Sequence, residues 1–593
     1  MLAQAAGFYE IQTPTYRALI GADGNLHSLS VADTELLDDQ VAISLGSFFY
    51  ADGPRKLGSV ERPEESVLEA TDGTYSIRYR FLANNIRVTL TNKAARPVPY
   101  FVVLSPAVTI VSTGKGEAAA VPANERWGAA QFQTESGAYL ELSGGTRTWG
   151  PWLGRQVWEV SQVAPGADVE IVFHVGTGAR PRATLSQLVG VRARLSSDTG
   201  LVSANSPIEL VVSLDNRSDQ SVRGNLSVEL TATRGDVVIY STSSFELAPK
   251  RASQQTFRWQ VQSPDFYRAN VTALSGGREI AAARAAAGYR VAEMRPDVPR
   301  PGDFHDFWQR LVAEAGAQTP GFYMRRDERL SRHGLEVWVV QYDSIGGKTI
   351  HGWFAAPASA RDLPAILYLP GYGARPVEAP VALAAHGWVV LAIDVRGNRI
   401  DRARPRAFED YCTEGIESPD NYVYREIVGH ALRGLSFLAS REETDPNRIA
   451  VVGVSEGGGV GLILAALSPQ VAAVAADAPM LVNFPLSLRA ASWPYTELAR
   501  YLQQHAESRG NVLQTLSYFD VANFAPDIHC PVLLSTGFLD RVSLPGAVFG
   551  LYNVLPGSKD IRSFPQAGHE GGGEDLWTYK LDWLAEKLGP SAR

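Results

Sequence analysis

The hydrophobic period of this 593-residue chain changes once, in the stretch from Met294 to Asp303 that carries Pro296, Pro299 and Pro301. Before it, apolar residues alternate with polar ones. Tyr75, Ile77, Tyr79 and Phe81 form one such run, and Ile86, Val88 and Leu90 form the next after Asn84-Asn85. A period of two is that of a half-buried strand, and the asparagine pair reads as a hairpin turn. Similar runs are Ala138–Leu142, Val169–Val175, Ile208–Leu214, Leu226–Leu230 and Phe257–Val261. After the prolines, short fully apolar runs alternate with helical patterns. The runs are Ala365–Leu369, Trp388–Ile393, Ile449–Val454, Ala472–Ala476 and Val532–Thr536, and the helices include Tyr424–Ala439 and Gly459–Leu467. Continuous apolar runs separated by helices predict buried parallel strands.

A chain this long exceeds one hydrophobic core. The expected organisation is a β-sandwich over residues 1–183, an immunoglobulin-like or fibronectin-like sandwich over 184–292, and an α/β domain with a doubly wound, mostly parallel sheet over 293–593. The composition is that of soluble globular protein, 45% hydrophobic and 20% charged, with a net charge of −8. That charge gives no reason to expect nucleic acid or an anionic membrane as partner. No stretch reaches the roughly 18 apolar residues of a membrane span. Cys412 and Cys530 are the only cysteines and are expected as separate thiols. The first residues, Met1 to Gly7, lack a basic region and a long apolar run, so no intact signal peptide is visible. The small residues Ala3 to Ala6 fit the stub left after a signal is removed.

Within the second half, Gly453-Val454-Ser455-Glu456-Gly457 stands between an apolar run and a small-residue helix. In an open α/β sheet, ligands sit at the carboxyl ends of strands, and a serine on such a turn projects its hydroxyl there. The serine needs a base and an oxyanion site. Asp540 follows the strand 532–536, and His569 follows 561–564. The order Ser455, Asp540, His569 is that of α/β-hydrolases. His569 is the expected general base and Asp540 the group that orients it. The loop Leu369-Pro370-Gly371-Tyr372-Gly373 ends another strand and is placed to aim a backbone N–H at the oxyanion, with the N–H of Glu456 as second donor. Each piece has a plain alternative: a chance pentapeptide, a helix-capping Asp540, a loop histidine. Asp477 is the alternative acid, and His529, on the wrong edge of the sheet, the alternative base. No residue cluster has metal-ligand spacing and no glycine-rich loop follows a phosphate pattern, so no metal and no cofactor are expected.

Several segments resemble the acetyl xylan esterase/cephalosporin C deacetylase family, carbohydrate esterase family 7, over residues 296–590. Asp303-Phe304-His305-Asp306-Phe307-Trp308, Ile350-His351-Gly352-Trp353, Asp394-Val395-Arg396-Gly397, the run Ser517 to Asn523, and Gly568-His569-Glu570 are similar to its motifs. The resemblance implies deacetylation of small esters, such as acetylated xylo-oligosaccharides, other acetylated sugars and cephalosporin C, through Ser455, Asp540 and His569. It implies oxyanion N–H groups from Tyr372 and Glu456, and an acyl pocket lined by Pro494 and Tyr495. Arg396 is expected to tie loops near the site. The family usually has Gln where this chain has Glu456, and a carboxylate there would oppose an oxyanion. Family members often form homo-oligomers of the catalytic domain alone, and about 290 extra residues make that assembly an open question for this chain. A secreted or periplasmic location fits such an enzyme.

The front half carries Trp127, Trp149, Trp152 and Trp158 in glycine-rich surroundings. They suit either stacking on a polysaccharide or core packing, and the front domains would otherwise act as a spacer or a wall beside the site. Three competing activities stay open: a serine peptidase of the prolyl oligopeptidase type, an esterase for polyesters or longer acyl groups, and a carbohydrate-binding protein with a vestigial hydrolase.

Overall fold

The computed structural model describes residues 2–589, leaving out mainly 38–46, 50–54, 119–128, 178–188 and 401–410 and shorter stretches of one to four residues. By its contacts the chain divides into two compact units, residues 1–263 with 267–289, and residues 264–266 with 290–593.

The first unit is built from strands. Two antiparallel nine-stranded sheets share one core. The alternating runs at 75–81 and 86–90 pair as a hairpin, Ile86 opposite Phe81, Val88 opposite Tyr79 and Leu90 opposite Ile77. Every one of those six side chains is buried, so the period of two places one full face against the core. Residues 189–289 form a three-stranded and a five-stranded sheet around a separate core. In the strand Ile208–Asn216 burial alternates residue by residue, as the sequence pattern predicts. Trp158 is fully buried among core residues. Trp127 lies outside the described residues, as do the side chains of Trp149 and Trp152.

The second unit holds a nine-stranded sheet with helices between its strands. Its strands are β1 (Phe322–Arg326), β2 (Leu335–Asp343), β3 (Thr349–Pro357), β4 (Leu363–Leu369), β5 (Val389–Ile393), β6 (Thr444–Val454), β7 (Val471–Asp477), β8 (Val532–Gly537) and β9 (Lys559–Phe564). Their order across the sheet is β1-β2-β3-β5-β4-β6-β7-β8-β9. The pairs among β1, β2, β3 and β5 are antiparallel. From β5 onward every pair is parallel. The helices are α1 (Phe304–Gly316), α2 (Val381–Ala384), α3 (Val423–Ala439), α4 (Glu456–Leu467), α5 (Phe484–Ala490), α6 (Tyr495–Gln504), α7 (Arg509–Phe519), α8 (Val521–Phe524), α9 (Pro545–Val554) and α10 (Gly573–Leu588).

Alternate residues of the central strands enter two different cores. Ile366, Val390, Val452, Ala475 and Leu533 join the cluster of α2 and α10. Leu367, Leu391, Val451, Val474 and Leu534 join that of α1, α3, α4 and α9. A strand buried on both faces needs apolar residues at every position, which is why these runs show no alternation. Strand β1 escaped sequence reading because four of its five residues are exposed, leaving no pattern to detect.

Most of the segments singled out in the sequence work as packing. Phe304, Phe307 and Trp308 of α1 meet Tyr518, Phe519 and Phe524 at ring-centroid distances of 4.8–6.5 Å. The Trp308 Nε1 donates to the Tyr518 carbonyl at 3.1 Å, and the Tyr518 hydroxyl donates to Asp303. The Asp520 carboxylate accepts from the backbone of Asn483, Phe484 and Ala522. Asp394 Oδ1 accepts from the amides of Arg396 and Asn398, closing the loop after β5. The two cysteines are free thiols, Cys412 buried and Cys530 partly buried.

Candidate active site

Ser455 sits between the end of β6 and the start of α4, with φ 54° and ψ −113°. That backbone lies in the positive-φ region, where a non-glycine residue costs about 1–3 kcal/mol. Surrounding bonds hold it there. The Ser455 N–H donates to the Asp477 carbonyl at 2.8 Å, and its carbonyl accepts from Met480 at 2.8 Å and Gly459 at 3.1 Å. The two flanking glycines are required by close approach. A Cβ on Gly453 would fall 2.2 Å from the Gly457 carbonyl carbon, and one on Gly457 would fall 2.1 Å from the Leu369 carbonyl oxygen. The second approach also brings the end of β4 against the turn. A Cβ on Gly371 would lie 3.6 Å from the Ser455 Cβ, so the Pro370–Gly373 loop borders the serine. Because α4 begins at Glu456, its N–H is among the helix-start amides that have no intrahelical acceptor.

Asp540 and His569 come together. Asp540 follows β8 and is fully buried. Its Oδ1 accepts from the amides of Val542 at 2.7 Å and Ser543 at 3.0 Å. Its Oδ2 lies 2.8 Å from His569 Nδ1, which leaves the imidazole Nε2 as the other ring nitrogen. Burial pulls the His569 pKa down. The Asp540 charge, the bond to it and the charge of Glu570 outweigh that, leaving it raised. The alternative acid, Asp477, is committed elsewhere: Oδ1 accepts from the Ser535 hydroxyl and Oδ2 pairs with the buried Lys580. The alternative base, His529, is exposed and precedes β8.

The carboxyl of Glu456 turns inward and is fully buried. Its Oε1 accepts from the Tyr424 hydroxyl at 2.6 Å and its Oε2 from the Tyr411 hydroxyl at 2.8 Å. Burial raises its pKa to about 7, against the two hydroxyl bonds and the nearby Arg396 guanidinium. Burial and the Glu456 charge push both tyrosine hydroxyls well above their ordinary range, so they stay donors. Sequence reasoning found Glu456 but neither tyrosine, because α3 and the 411 segment carry no motif that ties them to the serine turn.

Tyr372 is fixed by its own polar cluster. Its hydroxyl donates to Glu497 Oε2 at 3.1 Å and accepts from the Cys412 amide at 3.1 Å. Its ring lies 4.3 Å from that of Tyr411 and 5.2 Å from that of Trp493. Arg396 reaches both carboxylate oxygens of Glu414 at 3.1 Å and covers the Tyr411 ring at 4.6 Å. Pro494 and Tyr495 are both buried. The Tyr495 hydroxyl accepts from the Leu481 amide at 2.8 Å, and its ring packs against Phe484. Among the described residues, no group of three or more His, Cys, Asp or Glu is placed to hold a metal ion.

Comparison with known proteins gives a consistent result over the same half of the chain. The profile described as acetyl xylan esterase (AXE1) matches residues 289–587. An acetyl esterase of Xylanibacter ruminicola is 25% identical over 313 residues, 51% of this chain and 70% of that protein. The solved acetyl xylan esterase from Paenibacillus sp. R4 is 29% identical at a TM-score of 0.47, covering 50% of this chain and 99% of that one. Acetyl xylan esterase 1 from Thermoanaerobacterium sp. JW/SL YS485 is 27% identical at a TM-score of 0.46, covering 50% and 98%. With a family match spanning half its length, this chain belongs to the acetyl xylan esterase family and is a carboxylic ester hydrolase.

Proposed function

We propose that the protein is a serine esterase that removes acetyl groups from carbohydrates such as xylan or xylo-oligosaccharides. The observation that carries the mechanism is the 2.8 Å contact between Asp540, after β8, and His569, after β9, in the same sheet whose strand β6 ends at the Ser455 turn. In this reading His569 Nε2 takes the Ser455 proton as the hydroxyl attacks the acetyl carbonyl. The tetrahedral oxyanion is held by the N–H groups of Tyr372 and Glu456. Collapse expels the sugar hydroxyl, which receives the proton from His569, and leaves an acetyl-serine. Water, deprotonated by the same histidine, then releases acetate. Asp540 fixes the tautomer and stabilises the imidazolium. The matching family is described as acetyl xylan esterase and the Xylanibacter relative as an acetyl esterase, which supports an acetyl group on a carbohydrate as the substrate.

Helices on both faces of a sheet that is parallel from β5 to β9 support a doubly wound hydrolase domain over 293–593. The separate cores around residues 11–175 and 189–289 support two further domains ahead of it. We further propose a secreted or periplasmic location; no helix among the described residues is long and apolar enough to cross a membrane. Acetate release from acetylated xylan, with Ser455→Ala as comparison, tests the mechanism. A variant as active as the parent would end it.

A further inference from the structure

Tyr411 touches both sides of the site just described. Its hydroxyl donates to Glu456 Oε2 at 2.8 Å, at the first residue of α4. The same hydroxyl accepts from the Gly373 amide at 3.5 Å, in the loop after β4. Its ring lies on Tyr372. The next residue repeats the link: the Cys412 amide donates to the Tyr372 hydroxyl at 3.1 Å, and its thiol donates to Glu497 at 3.0 Å. A third tyrosine anchors the pair, since the Tyr422 hydroxyl donates to the Cys412 carbonyl at 2.9 Å. Tyr411 and Cys412 are buried, so these bonds form away from water and hold geometry well.

Tyr424 provides the contrast. It also donates to Glu456, but from α3, and among the described residues no bond from its hydroxyl to the Tyr372 loop is recorded. Two tyrosines thus satisfy one carboxyl, and one of them also reaches the loop.

We infer that Tyr411 is a positioning residue whose hydroxyl, through Glu456 and Gly373, locks the start of α4 to the Tyr372 loop so that the two backbone N–H donors are held as one unit. The inference rests on the proposed oxyanion role of Tyr372 and Glu456. Oxyanion stabilisation acts on the transition state, so loosening the unit lowers kcat and leaves KM nearly unchanged. A misplacement on the order of 1 Å can cost about 100-fold.

The test uses the full chain and 4-nitrophenyl acetate, with circular dichroism and thermal melting on every variant. Tyr411→Phe keeps the ring and loses the hydroxyl. It is expected to lower kcat by about tenfold or more with KM within about threefold. Tyr424→Phe removes the other carboxyl bond and is expected to cost less than about threefold in kcat. In the background of Glu456→Ala, which removes the acceptors, Tyr411→Phe should cost less than it does alone, because a coupled pair is not additive. Equal losses from the two tyrosine variants, or full additivity, would mean that the carboxyl only needs donors, and would overturn the proposal. If Tyr411→Phe does not fold, Glu456→Ala against Glu456→Gln takes its place. The alanine should lose at least about tenfold and the glutamine, which keeps an acceptor, should recover most of it; an alanine variant with parental kcat overturns the proposal. Ser455→Ala separates the two failures: if it stays active, the acyl-enzyme reading falls and this inference with it. If it is dead while Tyr411→Phe is unimpaired, only the coupling falls.

Discussion

Asp540 meets His569 through Oδ2 at 2.8 Å while its Oδ1 is taken by two backbone amides, so the carboxylate cannot rotate without breaking three contacts. The backbone bonds come from the turn immediately after the acid, and the aspartate is fully buried. Its orientation is therefore held by local chain geometry as well as by the histidine.

That arrangement makes Asp540→Asn informative. The amide keeps the volume and one acceptor oxygen, so the fold is expected to survive. What remains to face His569 is then an NH2 donor, which favours the wrong imidazole tautomer. By analogy with serine proteases, kcat on an acetyl ester should fall by roughly 10,000-fold. A loss below about tenfold in a folded variant would remove Asp540 from the mechanism.

The pH profile follows from the sign of the His569 shift. Its pKa lies above the ordinary 6.5, mainly because the Asp540 charge outweighs the opposing effect of burial. A general base must be neutral, so kcat/KM should rise with pH through a midpoint above 6.5. Asp540→Asn removes the raising charge, and the residual activity should show a lower midpoint. An unchanged or higher midpoint would contradict the pairing.

Glu456 bears on stability, whose pH dependence runs opposite to that expected for activity. Burial raises its pKa from 4.5 to about 7 in the folded protein. A raised folded pKa gives stability that is complete below about pH 4.5 and is lost as pH rises through 7. The shift corresponds to at most about 3 kcal/mol. Glu456→Gln cannot ionise, so its melting temperature relative to the parent should improve between pH 5 and pH 8, on the order of a few degrees. A difference that stays flat across that range would show that the carboxyl does not titrate there.

Trp308 tests the reading of the Asp303–Trp308 segment as packing. It is fully buried in the aromatic cluster of α1, α7 and α8, and its Nε1 holds the Tyr518 carbonyl. Trp308→Ala should cost about 3–5 kcal/mol of stability. Well below the lowered melting temperature, kcat on an acetyl ester should stay within about threefold of the parent. A large kcat loss in the folded variant would assign this cluster a part in the site.

Much of this was readable because strands and elbows leave local signatures. Ser455 and Asp540 each follow an apolar run within a few residues and His569 follows the short strand at 561–564, so position along the chain predicted position at the sheet edge. The alternating strands at 75–81, 86–90 and 208–214 were equally plain, each presenting one buried face. Strand β1 was not read, and of the ten helices among the described residues only α3 and α4 were placed from the sequence. Exposed Phe322 and Tyr323 carry no burial pattern, and the short helices between β7 and β8 are held by distant partners such as Asp520.

By itself the sequence determined the β character of the front half, the alternation of strand and helix behind it, and the family motifs, since periodicity and short motifs are local properties of the chain. Tertiary structure decided what surrounds the serine. The direction of the Glu456 carboxyl, its two tyrosine donors from 411 and 424, and the bond from Tyr372 to Glu497 join residues 32 to 125 positions apart. No periodicity encodes such pairings. They arise because a buried carboxyl must find hydrogen-bond donors, and only the folded chain determines which hydroxyls are in reach.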